Sequence, residues 1–166
     1  MYQIGEQVVY GIHGVCRVAD QEKRVVDRKL VTYLVLEPVS KDGSRYLVPT
    51  HNAVAMSKLR KMMNAEELTT LFRSEEIRRA FWIRDENLRK QTYREKIGSG
   101  DRITLMQLIY TLYRHKEEQL AACKKVHQCD ENFLRDAEKM LAGEVGVVLE
   151  LEYPAALAYV REQLSR

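Results

Sequence analysis

Long apolar runs are missing from this chain of 166 residues, so no membrane-spanning helix is expected. Its start, Met1-Tyr2-Gln3-Ile4-Gly5-Glu6, has no basic region followed by an apolar one, and no signal peptide is expected. Cysteine is scarce. Cys16, Cys123 and Cys129 form an odd, widely spaced set, which argues against a disulfide framework and fits a reducing cytoplasm. There is no internal repeat and no low-complexity tract. A strong excess of one charge is also absent: 27 Lys and Arg against 24 Asp and Glu leave +3, which permits nucleic-acid binding without implying it.

The charge that is present is unevenly spread. Residues 1–62 hold ten basic and six acidic side chains, residues 63–100 eight and seven, and residues 101–166 nine and eleven. The last stretch is therefore a poor sole docking surface for phosphates, and the first two are better candidates.

Residues 1–60 read as strands. Val8-Val9-Tyr10, Val15 to Val18, Arg24-Val25-Val26, Leu30 to Leu36 and Arg45 to Val48 are β-prone runs separated by turn residues. Asp27-Arg28-Lys29 is a polar turn, and Asp42-Gly43 a hairpin signal. No crossover helix fits between the strands, so antiparallel pairing in a small barrel or strongly bent sheet is expected.

After Pro49 the period changes. Asn64 can cap a helix beginning Ala65-Glu66-Glu67-Leu68, and no Pro or Gly interrupts Ala65 to Ile97, so one long helix or two joined near Ser74 would fit. Gly98-Ser99-Gly100 ends that pattern, and Asp101 caps the next helix, whose Leu105, Leu108, Ile109 and Leu112 predict burial on several sides. A charged bend is expected at His115-Lys116-Glu117-Glu118. Asp130 can cap a further helix that Gly143 and Gly146 weaken, and Pro154 suits the first turn of a last one. The expected architecture is α+β: a β domain over 1–60 and an all-helical domain over 61–166.

Catalysis finds no support. The carboxylates form no evident pair, Cys16 with His13 is too little for an activated thiol, and Gly98-Ser99-Gly100-Asp101 lacks the Lys of a phosphate loop. Cys123-x3-His127-x-Cys129 offers three soft ligands, but a fourth is missing nearby and the spacing is not that of structural zinc sites. No metal and no cofactor are expected. Two features remain. One is the charge of the β domain, including Lys23, Arg24 and Arg45, where an Arg fork suits an acidic partner surface; the alternative is a solvated strand face. The other is Ile77 to Lys90, which holds the only Trp of the chain, Trp82, among Arg78, Arg79, Arg84, Arg89 and Lys90. On a continuous helix Arg78, Trp82, Arg89 and Lys96 would share a stripe. There an exposed indole could stack on a base with arginines on flanking phosphates. Trp82 could equally anchor a core, with the arginines on a solvated face.

An ordered set of short motifs bears on that choice. Gly5-Glu6-Gln7-Val8-Val9-Tyr10 with His13-Gly14, Tyr33-Leu34-Val35-Leu36, Val48-Pro49 and Asn52-Ala53 are followed by Trp82-Ile83-Arg84-Asp85, Tyr93-Arg94-Glu95-Lys96, Ser99-Gly100-Asp101, Leu112-Tyr113 and Glu138-Lys139-x-Leu141-x-Gly143-Glu144. Together they resemble the bacterial CarD/CdnL family. The resemblance implies a non-enzymatic regulator whose Tudor-like β domain binds the β subunit of RNA polymerase. It also implies a helical domain that contacts promoter DNA, weakly and without sequence preference, at the upstream edge of the melted region. There a Trp wedge favours the open complex. By position Arg24 matches a polymerase-contacting Arg. A second such Arg falls at Leu47, and Arg45 shares its face by strand alternation. Trp82 matches the wedge, although its spacing to Ser99-Gly100-Asp101 is about one helical turn longer than in actinobacterial members. The implied DNA contacts are Trp82, Arg78, Arg79, Arg89 and Lys90; the implied polymerase contacts are Arg24, Arg45 and Lys23. A protein-only adaptor with Trp82 in its core is the alternative.

Overall fold

A computed structural model describes all residues, 1–166, in two compact units, Met1–Met62 and Met63–Arg166. The first is a single antiparallel sheet in the order β4-β3-β2-β1-β5, formed by β1 (Gln7–Tyr10), β2 (Val15–Val26), β3 (Lys29–Pro38), β4 (Tyr46–Pro49) and β5 (Leu59–Lys61). The sheet is open, with β4 and β5 at its edges. A short helix, α1 (Ala53–Ser57), capped by the Asn52 side chain, leads into β5.

Two of the strands are longer than expected. Val15 to Val18 and Arg24 to Val26 belong to one twelve-residue strand, because a bulge at Ala19 absorbs the break in alternation that separates them in the sequence. The hairpin β2–β3 turns on Asp27 and Arg28, whose φ of 48° and 63° provide the pair of positive angles a two-residue turn needs, without glycine. Val8, Cys16, Val18, Leu34, Leu36, Val48 and Leu59 form the core of this unit.

The second unit is helical throughout: α2 (Ala65–Arg73), α3 (Glu86–Ser99), α4 (Arg102–Ala121), α5 (Gln128–Val148) and α6 (Tyr153–Leu164), with a 3-10 turn over Glu76–Arg78. Asn64 and Glu67 make a reciprocal capping box on α2. Gly100, at φ 65°, ends α3, and Asp101 caps α4 by accepting from the Thr104 amide. Ile77, Tyr93, Met106, Leu108, Ile109, Leu141 and Leu164 are among the fully buried side chains of its core. No helix is long and apolar enough to cross a membrane.

Two expectations are corrected here. There is no bend at His115 to Glu118; α4 runs through them to Ala121, since Lys and Glu on an exposed helix face are good helix formers. The cap of α5 is His127, and Asp130 lies in its first turn as a buried ion-pair partner. α5 runs through Gly143 and Gly146 to Val148. A methyl group on Gly146 would stand 3.0 Å from the Leu151 carbonyl oxygen and 3.5 Å from Ala156 Cβ, so this position lets the chain fold closely back into α6.

Candidate polymerase and nucleic-acid contact surfaces

Pairing register decides what the β unit presents. Arg17 stands opposite Glu37, and beyond the bulge Asp20, Glu22 and Arg24 stand opposite Val35, Tyr33 and Val31, so these residues share the face away from the core. Arg45, next before β4, extends the same alternation as Leu47, which stands opposite Val35. The result is a chain of ion pairs across three strands. Arg24 Nη2 is 2.8 Å from Glu22 Oε2, Arg45 Nη2 is 3.7 Å from Glu22 Oε1, Arg45 Nε is 3.6 Å from Glu37 Oε1, and Arg17 Nη2 is 3.4 Å from Glu37 Oε2. The three arginine side chains are more than half exposed. Pairs of this kind add little stability but hold the guanidinium groups in place.

Lys23 does not join them. It pairs in register with Thr32, so strand alternation sends it to the opposite face, beside the exposed Val25 and Leu30. Those two apolar residues face each other across the hairpin arm, 73% and 66% exposed. An exposed apolar pair at the end of a projecting arm is a contact feature the sequence reading missed.

Residues 2–61 match the family model of the CarD-like/TRCF RID domain. The first unit is a CarD-like domain. This agrees with the CarD/CdnL resemblance of the ordered motifs, and a CarD-like/TRCF RID domain is an interaction domain for the RNA polymerase β subunit. The exposed arginine ladder is a defined charged surface on the CarD-like domain.

The helical unit treats the Trp82 stretch differently from the continuous helix considered above. Arg79 to Arg84 form a non-helical segment between the 3-10 turn and α3. The sequence has no breaker there; side chains from other helices take the backbone groups a helix would use. The Phe81 amide donates to Thr111 Oγ1 at 3.1 Å, the Tyr93 hydroxyl donates to the Phe81 carbonyl at 3.2 Å, and Arg89 Nη1 donates to the carbonyls of Ile83 and Arg84 at 3.1 and 3.3 Å. Arg78, Trp82, Arg89 and Lys96 therefore share no stripe.

Trp82 is half-buried. Its indole stacks on His115 of α4, with ring centres 3.5 Å apart and planes 12° from parallel, and the Arg89 guanidinium lies 4.5 Å from the ring centre. Tyr93 meets it edge-on at 6.4 Å. Arg89 is buried and forms a two-pronged ion pair with Asp130 of α5, Nε to Oδ1 at 2.8 Å and Nη2 to Oδ2 at 3.1 Å. Arg89 is thus committed to the interior, contrary to the expectation of a phosphate contact. Arg78 is also committed. Its guanidinium donates to the carbonyls of Phe72, Ser74 and Gln163, tying the end of α2 to α6. Lys90 lies on Glu86, with Nζ 2.5 Å from Oε1, and is partly exposed. Arg79 and Arg84, on either side of Trp82, are exposed.

Burial pushes the His115 imidazole below its ordinary value; the nearby Asp130 opposes that and Arg89 adds to it. Burial also lifts the Tyr93 hydroxyl to about 12, keeping it a neutral donor. His115 and Asp130 are the partners that sequence reading missed, since nothing in their local context links them to Trp82.

Two other clusters stand apart. A cleft of about 500 Å³ is lined by Tyr113, Lys116, Leu134, Glu138 and Arg161, in which Glu138 accepts from the Tyr113 hydroxyl at 2.9 Å and from Arg161 Nε at 2.7 Å. Glu86, His127 and Cys129 bring their ligand atoms within 4.8 Å of one another, while Cys123 is not among them.

Proposed function

We propose that this chain is a cytoplasmic transcription regulator that docks on the RNA polymerase β subunit and stabilises the promoter open complex through contacts of its helical unit with DNA. The observation that carries the docking half is the exposed face of the CarD-like domain on which Arg24 and Arg45 converge upon Glu22. A partner carboxylate could replace Glu22 on either guanidinium with little loss, because the exchanged pairs are similar. Leu47, 38% exposed on the same face, offers an apolar contact where the resemblance places a second Arg.

For the DNA half, Trp82 would present its exposed portion to the edge of the melted region, with Arg79, Arg84 and Lys90 on phosphates. His115 and Arg89 would hold the indole from behind. Favouring one DNA state over another requires only that the contact be better with melted-edge DNA than with closed duplex. Weak intrinsic affinity suffices, since binding polymerase raises the effective concentration of the covalently linked helical unit. The stacking of Trp82 against His115 favours a second reading, in which the indole is purely an internal anchor and the protein is an adaptor between proteins. Open-complex lifetime with wild type, Trp82→Ala and the Arg79→Ala/Arg84→Ala double variant separates the two. Shortened lifetimes in both variants, with polymerase binding retained, support DNA contact. Wild-type lifetime in the double arginine variant supports the adaptor.

A further inference from the structure

We propose that Glu86, His127 and Cys129 bind a single divalent cation of the zinc class. The three residues lie at the starts of two helices. Glu86 opens α3, His127 caps α5 and Cys129 is the second residue of α5. Their ligand atoms all lie within 4.8 Å of one another. Ligands around a tetrahedral zinc ion, at about 2.0–2.3 Å from the metal, are separated by roughly 3.5 Å, so small side-chain rotations close the set. The donor types are a thiolate, an imidazole and a carboxylate, with water left for a fourth position. That mixture selects a borderline-soft ion over magnesium or calcium, which take oxygen donors.

The donors already lie together. His127 Nε2 is 3.3 Å from Glu86 Oε1, and without the cation the Cys129 amide donates to His127 Nδ1 at 3.2 Å. Cys129 Sγ is 3.8 Å from Asp130 Oδ1, the carboxylate that holds Arg89. On binding, the Cys129 thiol proton leaves to solvent. The imidazole stays neutral: its proton passes from Nε2 to Nδ1, and the Cys129 amide turns from Nδ1 to water. The competing cation is Lys90, whose ammonium occupies Glu86 Oε1 and must give way. Cys123, which the sequence spacing groups with the other two, is exposed in the turn after α4 and contributes nothing. A bound cation would join the starts of α3 and α5, the same helices that Arg89 and Asp130 join deeper in the unit.

The test is titration of the full-length protein with cobalt(II) in a phosphine reductant, followed by zinc(II). One equivalent of cobalt is expected to give a thiolate-to-cobalt charge-transfer band and the intense visible bands of four-coordination, both removed by zinc. Cys129→Ser abolishes the charge-transfer band, Cys123→Ser leaves it, and His127→Ala or Glu86→Gln weakens cobalt binding by more than the roughly 10–100-fold typical of an outer-shell partner. Both His127 and Glu86 are exposed, so these variants are expected to fold. Absence of the band in wild type at excess cobalt overturns the proposal, as does its survival in Cys129→Ser or its loss in Cys123→Ser.

Discussion

Arg24 and Arg45, twenty-one positions apart in the sequence, share one carboxylate: Glu22 holds Arg24 through Oε2 at 2.8 Å and Arg45 through Oε1 at 3.7 Å. A β-bulge makes this possible. Without the extra residue at Ala19, Glu22 and Arg24 would point to the other face, because a one-residue slip inverts every side chain beyond it.

Reversing one of those charges tests the docking face. Arg24→Glu and Arg45→Glu are each expected to weaken binding to the isolated polymerase β lobe by about tenfold, roughly 1.4 kcal/mol. Lys23→Glu, on the opposite face, is expected to have the smaller effect. A pull-down or equilibrium titration at fixed salt reads the difference, and unchanged binding in both arginine variants removes this ladder from the interface.

Trp82→Ala is expected to shorten open-complex lifetime by about tenfold or more, as loss of a stacking contact of roughly 1–3 kcal/mol implies. The measurement is the decay of the complex after addition of a competitor, with circular dichroism confirming that the variant is folded.

The Arg89–Asp130 pair is a folding element. Asp130→Ala leaves a guanidinium buried without its carboxylate beside Trp82 and is expected to cost about 3–5 kcal/mol. Denaturant unfolding gives the value, and Trp82 fluorescence reports the transition locally. A loss below about 1 kcal/mol, the range of surface ion pairs, would place the pair outside the stabilising core.

His115 predicts a pH dependence of definite sign. Its folded value lies below the unfolded one of about 6.5, so the unfolded chain binds the extra proton first. The contribution of His115 to stability is therefore complete above about pH 6.5 and declines as pH falls through the window down to the folded value. His115→Phe, which keeps a ring against Trp82 and removes the titration, is expected to flatten that part of the stability profile. An unchanged profile in this variant would exclude His115 as its source.

Much of this molecule is legible residue by residue. Asn64 with Glu67, Gly100 with Asp101, and Pro154 act through their own neighbours, so the starts of α2, α4 and α6 and the end of α3 follow from local chemistry. Antiparallel pairing follows from strands too close in sequence for a crossover. The ordered motifs announced the CarD-like domain that the family match places at residues 2–61. What local reading could not supply was every relationship set by a distant partner. The stretch around Trp82 has no helix breaker, and it is not helical because Thr111, Tyr93 and Arg89 take its backbone groups. Arg78 and Arg89 look like surface charge and are drawn inward by carbonyls and a carboxylate lying up to 85 positions away. The sequence by itself determined which residue types each unit holds and where α2, α4 and α6 begin. Only the tertiary structure decided which charges remain exposed to a partner, because an arginine side chain goes to whichever acceptor the packed chain brings within reach.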